Sequence, residues 1–160
     1  MQIVNYKEKY KNDLDYLQIE QWGEGANIED VGNNLDKYNA RIAEEDDKLI
    51  GALVWHKEDE KTCFIDYIIL RPNYQKKGYG TDLLSDLLSS LNKEQFDKVE
   101  CEAIDVLGHC NAKKLLESFG FEEQYSVASY WGEKYPDYYC KDCGSKPCRC
   151  TMHKYIKYLK

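Results

Sequence analysis

Asp66 stands inside an apolar run, CFIDYIIL, at residues 63–70. Rich in isoleucine and aromatics, the run suits a central strand covered on both faces. In a strand Phe64, Asp66, Ile68 and Leu70 share one face, so the carboxylate has apolar neighbours. Desolvation penalises its charged form and raises its pKa. Asp66 is therefore a candidate general base near neutral pH. A structural aspartate, held by a backbone amide or turned to solvent, is the other reading. Just beyond the run, Gln75, Lys76, Lys77, Gly78, Tyr79, Gly80 and Thr81 form a glycine loop that opens a helix. The glycines let a ligand approach bare backbone. Free N–H groups and the helix dipole there suit an anion, above all a phosphate. Lys76 and Lys77 add positive charge. The loop is neither a Walker loop nor a dinucleotide fingerprint, because the glycine spacing of both is absent.

Further along, Cys140, Cys143, Cys148 and Cys150 are spaced C-x2-C-x4-C-x-C within YYCKDCGSKPCRCTMH. The first pair, followed by Gly144, looks like half of a zinc knuckle. Thiolates gathered in one short loop can close a tetrahedral structural zinc site, and His153 could replace one. Reduced surface thiols or two disulfides are the alternatives. Cys63, Cys101 and Cys110 fall on core elements and read as small buried hydrophobes. His56, at a strand end, reads as structural. Tyr130, Trp131, Tyr135, Tyr138 and Tyr139 either line an acceptor pocket or pack around the cysteine loop.

The elements that must position these residues follow from periodicity. Residues 2–6 form a short strand and 7–22 an amphipathic helix, broken by Gly23 and Gly25. A second short helix is expected over 28–38, with Val31 and Leu35 inward. Residues 39–45 and 49–56 read as a hairpin around Asp46-Asp47-Lys48, followed by a polar turn at 58–61. Pro72 ends the central strand, since proline cannot donate to a ladder. Tyr79, Leu83, Leu84, Leu87, Leu88 and Leu91 then make one apolar helical stripe. A strand at 98–104, a helix at 111–119 ended by Gly120, and strands at 121–130 and 151–159 complete the chain. Helices after strands, with hairpins, predict an α+β fold with a mixed sheet in a single domain spanning 1–160. The cysteine-rich loop, 139–151, lies between the last two strands.

Taken together, the 62–91 unit resembles the pyrophosphate loop of the GNAT superfamily of acyl-CoA-dependent N-acetyltransferases. Gln75, Gly78 and Gly80 fill that family's pattern Q/R-x-x-G-x-G/A, and Pro72 and Tyr74 fit its turn. Ala112, Leu115, Gly120 and Phe121 resemble the family's later helix and closing Gly-Phe. The resemblance implies a twisted sheet of roughly six or seven strands flanked by helices, its two middle strands splaying apart where the cofactor enters. It also implies acetyl transfer from acetyl-CoA to a primary amine of a small molecule or peptide. The loop 75–81 would hold the pyrophosphate. Ile68, Ile69 and Leu70 would pair with the pantetheine amides, and Asp66 would take the amine proton. Many relatives carry a tyrosine that protonates the CoA sulfur; here Leu116 stands at that position, and His109 where an asparagine is common. A non-catalytic acyl-CoA-binding or sensor domain, or a zinc-loop interaction module on the same scaffold, are the rival readings.

Composition bounds the partners. The formal net charge is -7 and the pI about 5.0. That argues against nucleic acid, which wants a basic face, and mildly favours a cationic partner such as an amine. No apolar run reaches the roughly 18 residues of a membrane span, and MQIVNYKEKY lacks a signal-peptide core. A cytoplasmic location is expected, with no membrane partner. Seven cysteines would be unusual there as disulfides, so thiol or metal roles come first. Homodimer formation is left open.

Overall fold

A computed structural model describes residues 1–23, 30–91 and 95–159. Strands β1 (Gln2–Asn5), β2 (Tyr38–Glu45), β3 (Lys48–Asp59), β4 (Thr62–Leu70), β5 (Lys98–Val106), β6 (His109–Cys110), β7 (Glu122–Val127) and β8 (Thr151–Tyr158) form one mixed sheet. Its order is β1-β2-β3-β4-β5-β8-β7, with β6 on the end of β5. Among the described residues only β4 and β5 pair in parallel, and the other ladders are antiparallel. Asp46 and Asp47 both adopt positive φ, which closes the β2–β3 hairpin with the right twist.

Helices α1 (Lys11–Trp22), α2 (Tyr79–Ser90), α3 (Lys113–Ser118) and α4 (Tyr130–Lys134) flank the sheet. Tyr10, Leu14 and Leu17 cover one face against Ile42, Ala52, Val54, Tyr67 and Ile69. Leu83, Leu84 and Leu87 of α2 and Leu116 of α3 cover the other, against Leu53, Cys63, Ile65 and Val99. The three α2 leucines are fully buried, and each contributes roughly 1.5–3 kcal/mol by leaving water. Cys63 and Cys101 are buried and Cys110 half-buried; burial pushes the Cys63 and Cys101 thiols up to about 12. No described helix is long and apolar enough to cross a membrane.

Some local expectations change. The helix over 28–38 lies partly outside the described residues; 30–37 form turns instead. Val31 is buried as expected, but Leu35 is 52% exposed. The strand expected over 121–130 stops at Val127, and Tyr130 opens α4. Ser129, at φ 52, makes the reversal between them.

Candidate active site at the strand splay

The parallel ladder between β4 and β5 ends early. Its last rung pairs Ile65 with Cys101. Beyond it β4 pairs only with β3, and β5 with β8 and β6. The next residues on the diverging strands are Asp66 and Glu102. A β-bulge falls at the same place: Trp55 faces Ile65 and Val54 faces Tyr67, so Asp66 is the extra residue on β4. A bulge shifts the alternation by one, and it commonly re-aims a side chain beside a site. This corrects the expectation that Phe64, Asp66, Ile68 and Leu70 share a face. Cys63 and Ile65 pack with the α2 side of the core, whereas Tyr67 and Ile69 pack with the α1 side.

Asp66 is not surrounded by apolar groups alone. Its side chain is 5% exposed. His56 Nδ1 lies 2.7 Å from Asp66 Oδ2, and His56 Nε2 lies 2.7 Å from Glu58 Oε2. An ionised carboxylate only accepts, so the ring N–H donates to Asp66. The His56 ring is itself wedged edge-on against Tyr38 and tilted on Phe64. Sequence reasoning set His56 aside as structural. The signal that could have found it is the hairpin, which brings a residue ten positions upstream beside Asp66.

From the splay a groove of about 770 Å³ runs to the start of α2. Ile68, Ile69, Leu70, Gln75, Lys76, Gly78, Gly80 and Thr81 line one side of it, and Asn111, Ala112, Leu115 and Leu116 line the other. Gln75 Nε2 donates to the Leu70 carbonyl and ties the loop to the strand end. Gly78 caps α2 at φ 88, a conformation that favours glycine, and no side chain caps the helix. A Cβ at Gly78 would meet nothing within 4 Å. The free amides of the first helical turn therefore border open space, which is the cradle a phosphate needs. Lys77 and Tyr79, expected in the same site, do not line the groove with their side chains. The Lys77 ammonium lies over the Tyr74 ring, and Tyr79 stacks on Tyr74.

A second cavity, of about 280 Å³, opens on the α1 side. Gln18, Trp22, Phe64, Trp131, Lys134, Tyr135 and Tyr138 contribute to its wall. Of the aromatics read as lining a pocket or packing around the cysteine loop, Trp131, Tyr135 and Tyr138 line the cavity, Trp131 and Tyr138 also pack on the cysteines, and Tyr139 is 59% exposed. Trp22, Asp66, Tyr67, Glu102 and Ile104 line both groove and cavity, so the two meet at the splay.

The cysteine cluster forms the far wall, through Cys148 and Cys150. The Sγ atoms of Cys140, Cys143, Cys148 and Cys150 all lie within 4.8 Å of one another. Cys140 and Cys150 are 3.8 Å apart, the edge of a tetrahedron with Zn–S bonds of about 2.3 Å. Burial pushes the Cys140 thiol up to about 11. At Cys143 burial also acts upward, but hydrogen bonds, first from the Arg149 amide, outweigh it and bring the thiol to about 7. His153 is not a member of the cluster: its ring bridges Asp105 and Glu123. The loop is anchored to the end of α1, where Tyr138 OH donates to the Trp22 carbonyl and Lys141 to that of Glu20.

Residues 6–121 match the model of the acetyltransferase (GNAT) family. The comparison with curated proteins gives no match. Among solved structures, an acetyltransferase from Bacillus subtilis in complex with CoA is 23% identical, with a TM-score of 0.76 over 99% of both chains. A GNAT family acetyltransferase from Elizabethkingia anophelis with acetyl-CoA bound is 17% identical, with a TM-score of 0.75 over 99% of this chain and 97% of that one. The ribosomal-protein-S18-alanine N-acetyltransferase from Escherichia coli is also 17% identical, with a TM-score of 0.75, covering 99% and 94%. The glycine loop, the splayed pair β4–β5 and the family match over most of the chain agree: the protein belongs to the GNAT acetyltransferase family.

Proposed function

We propose that this chain transfers an acetyl group from acetyl-CoA to a primary amine of a small molecule or peptide. The observation that carries the reading is the meeting of groove and cavity at Asp66. Acetyl-CoA supplies the activated thioester. The open amides at Gly78 and the first turn of α2, with Lys76, hold its pyrophosphate. The β4 edge at Ile68, Ile69 and Leu70, released from β5, receives the pantetheine amides as a strand would. An amine entering through the cavity attacks the acetyl carbon, its proton passes to Asp66, and the C–S bond breaks. His56 fixes the Asp66 carboxylate for that transfer.

The departing sulfur needs little help. Asn111, Ala112, Leu115 and Leu116, which line the α3 side of the groove, offer no acid for neutral pH. A thiol titrates near about 8.5, so the thiolate leaves readily and takes its proton from solvent. The same feature favours a second reading, acyl-CoA binding without turnover. A screen for CoA release across a polyamine, an aminoglycoside, free amino acids and a peptide N-terminus separates the two. Release with at least one amine supports the transferase; binding of acetyl-CoA with no release supports the second reading.

Cys140, Cys143, Cys148 and Cys150 fit a structural zinc ion. A closed thiolate set leaves no position for water, so the metal would set the shape of the cavity wall rather than do chemistry. The anchors to Trp22 and Glu20 tie the loop to the end of α1. Metal analysis of protein purified without added zinc should find about one equivalent per chain. No metal, with all these thiols freely alkylated, would refute it.

A further inference from the structure

We infer that Glu102 is a second carboxylate of the acceptor site, and that the cavity selects a cationic amine with no carboxylate beside it. The inference rests on the transferase reading above. Asp66 and Glu102 occupy the first positions past the last β4–β5 rung and line both groove and cavity. An ammonium group delivered to the splay therefore meets a carboxylate from each strand. Glu102 is oriented for this. Tyr130 OH lies 2.8 Å from Glu102 Oε2, and the Lys134 ammonium donates to the same hydroxyl at 2.7 Å. Because the lysine donates, the tyrosine proton points to Glu102. Lys134 also lies over the Tyr130 ring at 4.2 Å. It is the one cation among the described residues lining the cavity, and it is engaged with Tyr130 rather than presented to an anion.

Much of the remaining wall is aromatic, from Trp22, Phe64, Tyr67, Trp131, Tyr135 and Tyr138, with Gln18, Ile104, Cys148 and Cys150 completing it. Aromatic faces attract a cation and cover a carbon body. A carboxylate next to the reacting amine would instead be set against Asp66 and Glu102, and like charges across a desolvated contact are rejected. The net charge of -7 steers the same way. Glu102 holds the ammonium while Asp66 takes the proton.

The test uses matched amines, tyramine against tyrosine and phenethylamine against phenylalanine, with wild type and Glu102→Gln. CoA release reads turnover. Quenching of tryptophan fluorescence in the presence of CoA reads binding separately, since Trp22 and Trp131 line the cavity. Tyramine should exceed tyrosine in kcat/KM by about 10²-fold, the scale of like-charge rejection. Glu102→Gln keeps the size and can still accept from Tyr130. It should raise KM for tyramine about tenfold, change kcat less, and narrow the preference, as loss of a binding contact does. Equal or better use of tyrosine, or a Glu102→Gln defect confined to kcat, overturns the inference and leaves the transferase reading standing. Selective quenching without CoA release upholds the inference about the cavity, and the transferase reading falls only if the amine screen also gives no release. Neither quenching nor release with tyramine and phenethylamine overturns the inference, and the transferase reading is then decided by the amine screen.

Discussion

His56 and Asp66 meet across the β3–β4 hairpin at 2.7 Å, where the bulge lifts Asp66 out of the ladder. His56 pairs with Phe64, so without the bulge Asp66 would stand in ordinary alternation. With it, the carboxylate reaches the splay while its back is held by the ring. The outer contact to Glu58 fixes which ring nitrogen faces Asp66.

His56→Ala should therefore lower kcat by about 10²-fold, the cost of a misplaced reacting group. His56→Asn, whose amide nitrogen can stand near Nδ1, should recover most of it. Acetyl-CoA affinity should change in neither. Steady-state kinetics with calorimetry checks this, and an unimpaired alanine variant would assign His56 to packing alone.

Gly80→Leu tests the groove. A Cβ there would make ordinary contact with Leu115 and Leu70, at 3.8 and 3.9 Å, so the start of a side chain fits. The rest of a leucine side chain must compete with the pyrophosphate. Calorimetry should show acetyl-CoA binding weakened at least about tenfold, equivalent to roughly 1.4 kcal/mol. Wild-type affinity in a variant with an unchanged melting temperature would place the pyrophosphate elsewhere.

Gly132, in the middle of α4, packs against the backbone of the cysteine loop. A Cβ at this position would lie 2.2 Å from the Cys148 carbonyl oxygen. That contact is backbone and cannot be relieved by a rotamer change. Gly132→Ala should cost about 1–3 kcal/mol, as overpacking does, and lower Tm. Because α4 and Cys148 share the cavity wall, KM for the amine should rise while acetyl-CoA affinity holds. A Tm equal to wild type would show that the loop yields freely.

His153 gives the fold a pH dependence. Burial alone would lower its pKa, but hydrogen bonds with Asp105 and Glu123 outweigh this and raise it. That contribution is complete below the unfolded value of about 6.5 and is lost as pH rises through the higher folded value. Asp105 is lowered, first by its bond to His153, so its share is present above about 3.9 and is lost in acid. Tm measured from about pH 5 to 9 should decline on the alkaline side in wild type, and this part of the decline should be absent in His153→Gln. Identical profiles would remove the bridge from the stability account.

Much of the fold could be read from residues. The Asp46-Asp47 turn, the apolar β4, the α2 leucine stripe and the glycine stop after α3 are local signals, and each element lies where they place it. The GNAT likeness rested on Gln75, Gly78 and Gly80, and the sheet splays where that likeness placed the cofactor. Other features depend on partners far along the chain. The bulge at Asp66 exists only in register with Val54 and Trp55. The bond to His56 follows from that register. Helix α4 is five residues long, too short for periodicity to reveal, and its glycine is dictated by the Cys148 backbone. The place of His153 between Asp105 and Glu123 requires β5, β7 and β8 to be adjacent.

The claim on which the rest depends is that Asp66 takes the acceptor's proton where groove and cavity meet. Asp66→Asn keeps the size of the side chain and can still contact His56. Turnover with the best amine from the screen, measured beside acetyl-CoA affinity, tests it directly. The predicted result is a fall in kcat of about 10²–10⁴-fold, the worth of a placed general base, with acetyl-CoA affinity unchanged. A variant that turns over like wild type would contradict it and return Asp66 to a structural role.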